Sequence, residues 1–168
     1  MSTETRQPQW LDKDEQDAWR EYLRASRMLE AVLDNDLQVH GPQLSEYAII
    51  SALSDAPGLR LRMSEIAEAV VQSRSRLTHT AGRLEKRGWV QREACLGDRR
   101  GVELVLTDAG RAEIARMEPT HVASVRNNLV SHLSREEFLA LGRSMAAVSR
   151  GIEGTGACEE LREAQKLA

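Results

Sequence analysis

Between residues 14 and 39 no proline or glycine interrupts the chain, and Trp19, Tyr22, Ser26, Leu29, Leu33 and Leu37 recur at helical spacing. A second apolar set, Leu23, Met28 and Val32, widens the stripe. The spacing predicts one long helix, apolar over much of its circumference, that needs more than one partner to cover it. Gly41-Pro42 stops it. A shorter helix follows over 45–53, with Tyr47, Ile49, Ile50 and Leu53 on its apolar side, and Ala56-Pro57-Gly58 turns the chain into a brief extended stretch at 59–63. Ser64 reads as the N-cap of a compact helix to residue 70 buried through Ile66, Ala67 and Val70; Val71-Gln72 reads as a tight turn. Ser73 then caps a helix running to about residue 87, which Gly88 ends.

Two short β-prone runs, 89–94 and 101–106, flank the polar turn Gly97-Asp98-Arg99-Arg100 and predict a hairpin. Thr107-Asp108 opens a helix to about residue 131, in which Pro119 predicts a kink or a restart because proline removes a helical hydrogen bond. Ser134 and Glu137 have capping-box spacing ahead of a last helix that would bury Phe138, Leu141, Met145 and Val148. Past Gly151 the pattern dissolves, and 151–168 reads as a flexible tail.

A chain of 168 residues can bury one good core and is short for two ordinary domains. Aromatic residues are only 4%, while Leu, Ala, Arg and Glu abound, a mix that favours helices over strands. No apolar run has the length that spans a bilayer, and the polar start of the chain has no secretory apolar region, so a cytoplasmic protein with no membrane partner is expected. Cys95 and Cys158 lie far apart with no metal or redox spacing and read as free thiols. The net charge of −3 speaks at first against a polyanionic partner, but its distribution does not. Residues 60–101 hold ten basic side chains against five acidic ones, +5, which leaves −8 on the rest. A basic block on an acidic body can dock a polyanion in one orientation, although a solvated charged face has the same composition.

Helix, tight turn, helix, hairpin: that order defines a mainly α fold with a small β-hairpin wing, a winged helix-turn-helix lobe. In such a lobe the second helix reaches base edges in the major groove and the first braces it. On the helix over 74–87, Leu77, Ala81 and Leu84 share an inward face, while Ser75, Arg76, His79, Gly82, Arg83 and Lys86 form an outer face without an acid. Gly82 is unfavourable there by about 1 kcal/mol relative to alanine. Close approach of a neighbour would account for it, and so would simple tolerance.

The run Asp98-Arg99-Arg100, then Leu106-Thr107-Asp108-Ala109-Gly110, resembles the wing signature Asp-x-Arg … Leu-Thr-x-x-Gly of the MarR family of bacterial regulators. The upstream Leu84, Glu85 and Gly88 followed by Trp89-Val90, and the opening from Trp19 to Arg27, are similar to the same family. The resemblance spans nearly the whole chain and implies one domain over 11–150: a winged helix-turn-helix at 44–106, with dimerisation helices at 11–40 and 107–150. It implies a homodimer reading a pseudo-palindromic operator in double-stranded DNA, held by Leu11, Leu129, Leu133, Phe138, Leu141 and Met145. The exposed apolar surface of the terminal helices independently asks for such a partner. It further implies DNA contacts from Ser73, Arg74, Ser75, Arg76, His79 and Arg83 on the reading helix. In the wing, Asp98 would orient an arginine, and Arg99 or Arg100 would enter the minor groove or grip phosphate.

Many relatives answer to a small phenolic or aromatic ligand, for which Trp19, Arg20, Tyr22, His40, Tyr47 and His121 are the candidates here. Each also fits a core or a solvated surface. Cys95, with Arg92, Arg99 and Arg100 as possible sources of positive charge, raises the alternative of oxidant sensing. His40, His121 and His132 lack a metal-ligand spacing, so no metal or cofactor is expected. No phosphate loop, nucleophile elbow or His-Glu helix motif supports an enzyme. A winged helix used only for protein contacts would carry more apolar anchors on its outer face. The expected function is transcriptional regulation by occupying an operator, as a repressor relieved by a small ligand and less readily as an activator.

Overall fold

The computed structural model describes residues 9–95 and 101–155. The elements run α1 (Lys13–Gln38), α2 (Leu44–Asp55), a 3-10 turn (Pro57–Leu59), β1 (Arg60–Arg62), α3 (Met63–Ala69), α4 (Arg74–Lys86), β2 (Val90–Ala94), β3 (Val102–Leu106), α5 (Asp108–Asn128), a second 3-10 turn (Val130–His132) and α6 (Arg135–Gly154). This is the mainly helical fold with a small antiparallel sheet that the sequence predicts. The strands lie in the order β1-β3-β2, with Leu61 opposite Leu104 and Val90 opposite Leu106.

The core sits in the lobe formed by α2, α3, α4 and the sheet. Ile49, Ile50, Leu53, Ile66, Leu77, Ala81, Leu84 and Leu104 are fully buried, and Leu37 of α1 and Met117 of α5 join them. Short local caps define the helix starts. Asp12, Ser73, Thr107 and Ser134 each accept a backbone N–H three residues on. The Ser134 hydroxyl and backbone N–H also hold the exposed Glu137 carboxyl below its usual titration range. Helix α4 ends in a Schellman motif: Trp89 N–H reaches Leu84 O (3.1 Å), Gly88 N–H reaches Glu85 O (2.8 Å), and Gly88 takes φ +73°.

Three expectations are corrected. Helix α3 starts at Met63, not after Ser64, because the Glu65 carboxylate accepts the Arg62 N–H (2.8 Å) and caps the turn one residue earlier. Helix α5 does not restart at Pro119 but continues through it, with α5 packed against α1 and α2 although one hydrogen bond is lost. The last helix continues to Gly154, past the expected fraying point, and none of its residues is buried. Phe138, Leu141 and Met145 are half-buried and Val148 is exposed, so the apolar stripe of α6 is only partly covered by the described residues. Much of α1 is equally bare: Trp19, Tyr22 and Met28 are each about half exposed, and only Leu37 near its end is buried.

Candidate nucleic-acid interface

The candidate reading face is built on α4, whose inward Leu77, Ala81 and Leu84 are locked in the core. That packing leaves Arg74, Ser75, Arg76 and His79 exposed on its first two turns, with Ser73 half-buried at the cap. No acidic side chain lies among the residues from 73 to 84. The positive end of the helix dipole, the cap and two arginines therefore share one surface, an arrangement that suits phosphate and guanine acceptors. Gly82 meets nothing within 4 Å where a Cβ would stand, so no neighbour among the described residues requires a glycine there.

Arg83 is placed differently from its expected outward position. Its Nε donates to Glu46 Oε1 (3.0 Å) and its Nη2 to Gln43 Oε1 (3.1 Å). Glu46 is only 2% exposed, so this arginine faces the N-terminal turn of α2. Sequence reasoning missed the pair because the two partners lie 37 residues apart.

The wing is anchored to the same helix. Arg92 of β2 donates to Thr78 O (3.1 Å) and pairs with Glu85 (3.2 Å). The Cys95 N–H bonds Gly101 O (3.0 Å), bringing the two strands back together. Asp98, Arg99 and Arg100, expected at the wing tip, lie outside the described residues. At the base, the Thr107 hydroxyl accepts the Gly110 N–H (3.0 Å) and lies against Gly88 O (2.7 Å). A Cβ on Gly110 would stand 2.1 Å from Trp89 O. The Leu-Thr-x-x-Gly run is thus a helix cap plus a close approach of α5 to the strand leading into the wing.

The residues expected around a ligand fall into three groups. Trp19 and Tyr22 stack along the exposed side of α1, with ring centres 5.7 Å apart, and Arg20 beside them bonds Asp17 and Gln16. His40, after α1, bonds Thr120 through Nε2 (2.7 Å) and Arg116 through Nδ1 (2.6 Å). Tyr47 and His121 do come together, with ring centres 4.5 Å apart. Burial, then the charges of Glu118 and Asp55, raise the Tyr47 phenol, and burial lowers the His121 imidazole. His121 Nδ1 is buried and has no hydrogen-bond partner among the described residues. Cys95 is 5% exposed, a poor position for meeting an oxidant, and Cys158 lies outside the described residues. Among the described residues no cluster of three His, Cys, Asp or Glu could hold a metal, and no helix is long and apolar enough to cross a membrane.

Of the residues expected at a dimer contact, Leu11 is exposed, whereas Leu129, Leu133, Phe138, Leu141 and Met145 are half-buried around the α5–α6 junction. Val125, Val130, Leu133 and Phe138 share an open groove of about 520 Å³ there.

A buried three-helix lobe with an exposed basic second helix and a two-stranded wing defines the class of winged helix-turn-helix proteins. Comparison with known proteins gives the family. A MarR family model matches residues 40–101. The transcriptional regulator PecS of Dickeya dadantii is 34% identical over 131 residues, covering 77% of this chain and 78% of its own. The Streptomyces coelicolor MarR family regulator Sco3205, solved in complex with DNA, is 41% identical with a TM-score of 0.83, over 86% of this chain and 92% of its own. AbsC of the same organism is 39% identical with a TM-score of 0.82, over 88% and 99%. The chain belongs to the MarR family of transcriptional regulators.

Proposed function

We propose that the protein is a homodimeric, sequence-specific DNA-binding repressor that reads a pseudo-palindromic operator with one α4 in each half-site. The observation that carries the reading is the acid-free first half of α4, where Arg74, Ser75, Arg76 and His79 stand exposed on a fully buried backing. Likeness to a regulator solved on DNA supports it. Dimerisation is supported by the uncovered apolar stripes of α1 and α6, including Trp19, Leu139, Val148 and Ile152. In the wing, Asp98 orients an arginine, and Arg99 or Arg100 grips phosphate or enters the minor groove. The domain at 11–150 divides into a reading lobe at 44–106 and flanking dimerisation helices at 11–40 and 107–150. A small aromatic effector would act where Tyr47 and His121 meet between α2 and α5, shifting the population of lobe arrangements that fit DNA. Such a regulator works in the cytoplasm, where its DNA is, and needs no enzymatic activity.

Fluorescence anisotropy tests this. Duplexes selected from a random pool, and DNA from upstream of the protein's own gene, are titrated at several salt concentrations against a scrambled control. Sequence-dependent binding with a steep negative salt slope is expected. The double variant Arg99→Ala/Arg100→Ala should weaken binding and flatten that slope. Absence of binding to any duplex at low salt would overturn the reading.

A further inference from the structure

We infer that Arg83 and Glu46 form a positioning pair that sets the angle of the reading helix, and that Arg83 does not itself read bases. The inference rests on the DNA-binding reading and assigns these two residues within it. Arg83 commits Nε to Glu46 Oε1 (3.0 Å) and Nη2 to Gln43 Oε1 (3.1 Å). The other carboxylate oxygen of Glu46 accepts the Gln43 N–H (2.9 Å), so the pair is tied to the first turn of α2 from both sides. Glu46 is 2% exposed, and a buried carboxylate needs its cation and hydrogen bonds to be tolerated. One turn further along α4, Arg87 Nη2 donates to Gly41 O (3.1 Å), and its guanidinium lies 4.9 Å from the centre of the Trp89 ring.

The second half of α4 therefore grips residues 41–46 with two arginines one turn apart, while the first half stays free. Among the described residues Arg83 still has three N–H groups free, but its Nε and Nη2 bonds to Glu46 and Gln43 hold the guanidinium toward the start of α2. The gripped segment is also held from the other side. Arg116 of α5 donates to His40 O (3.3 Å) and to His40 Nδ1 (2.6 Å). One short connection between α1 and α2 thus carries both the reading helix and α5. A reading helix tolerates only small errors of orientation if its side chains are to meet base edges, and this grip limits them.

Glu46 separates the two possible roles of Arg83, since a side chain buried under α4 cannot touch DNA. The probes are a duplex selected from a random pool by the wild-type protein and a random duplex, with urea midpoints measured alongside. Glu46→Gln and Arg83→Gln are each expected to weaken binding to the selected duplex about tenfold, the usual scale for contacting pairs. The double variant should be little worse than either single one. Random-duplex affinity and the salt slope should stay near wild type, so the ratio of specific to non-specific binding falls. A merely structural role would lower both affinities together and leave that ratio unchanged, which would overturn the inference. Arg83→Lys keeps the charge against Glu46 and should retain most of the preference, whereas a base-reading arginine would lose it. The inference is also overturned if Glu46→Gln binds like wild type, or if Arg83→Gln alone lowers the slope by about 0.9 per lost phosphate contact. A wild-type protein that selects no duplex would instead sink the DNA-binding reading beneath it.

Discussion

The lobe from α2 to β3 and the helices that flank it obey different rules. In the lobe the inward apolar faces are covered: Ile49, Ile50, Leu53, Ile66, Leu77 and Leu84 close on one another and on Leu104 of the sheet. In α6 nothing is buried, and α1 exposes Trp19, Tyr22 and Met28. The lobe is complete within one chain. Among the described residues, the terminal helices leave large apolar side chains exposed, Trp19, Tyr22, Met28, Leu139, Val148 and Ile152. Amphipathicity alone does not distinguish a core helix from an interface helix; that depends on whether another part of the same chain can reach it.

The largest expected difference comes from truncating the two regions in parallel. Leu53→Ala, in the lobe, should cost about 3 kcal/mol in urea unfolding at any protein concentration. Leu141→Ala, on α6, should instead weaken self-association in sedimentation, with a loss of stability that depends on protein concentration. Equal, concentration-independent losses would erase the distinction. Next in size is Gly110→Ala. A methyl group 2.1 Å from Trp89 O must push α5 off the strand entering the wing, at a cost of about 2 kcal/mol in urea unfolding. A variant as stable as wild type would mean that this approach is not tight.

Val71→Gly should act in the opposite direction. Val71 closes α3 in a left-handed conformation, φ +49°, and is 90% exposed, so glycine would relieve strain without removing packing. A gain of about 1 kcal/mol is expected from thermal melts. If the gain came with weaker operator binding, the strained turn would belong to the reading face as well as to the fold. The smallest effect concerns pH. Burial lowers the folded imidazole of His121, so the unfolded chain binds its proton more readily. Stability from this group is fully present above the unfolded value of about 6.5 and is lost progressively as the pH falls below it. The urea midpoint should therefore drop less on acidification in His121→Phe than in wild type; an identical drop would remove His121 from the account.

Much of the fold could be read in advance because its signals are local. Ser73, Thr107 and Ser134 each cap a turn three residues long, and Gly88 ends α4 through bonds to Leu84 and Glu85. Ser64 is not the cap of α3, because the neighbouring Glu65 caps the turn from inside the helix. Pro119 does not restart α5, because tertiary packing offsets a local penalty of about 3 kcal/mol. The outward exposure of Arg76 and His79 on α4 was legible. Arg83 was not, since a helical wheel places it outward and only the folded chain brings Glu46 beneath it. Among the candidate ligand residues, the sequence could not sort His40, bound to Arg116 and Thr120, from the Tyr47–His121 pair, because both arrangements depend on α5 folding back.

The proposed dimer sets two lobes on one duplex, with the apolar stripes of α1 and α6 meeting across a second copy. Hydroxyl-radical footprinting on a selected duplex tests it most directly. The account predicts two symmetric protected segments centred about one helical turn apart, roughly 34 Å. A single protected segment under saturating protein would contradict it.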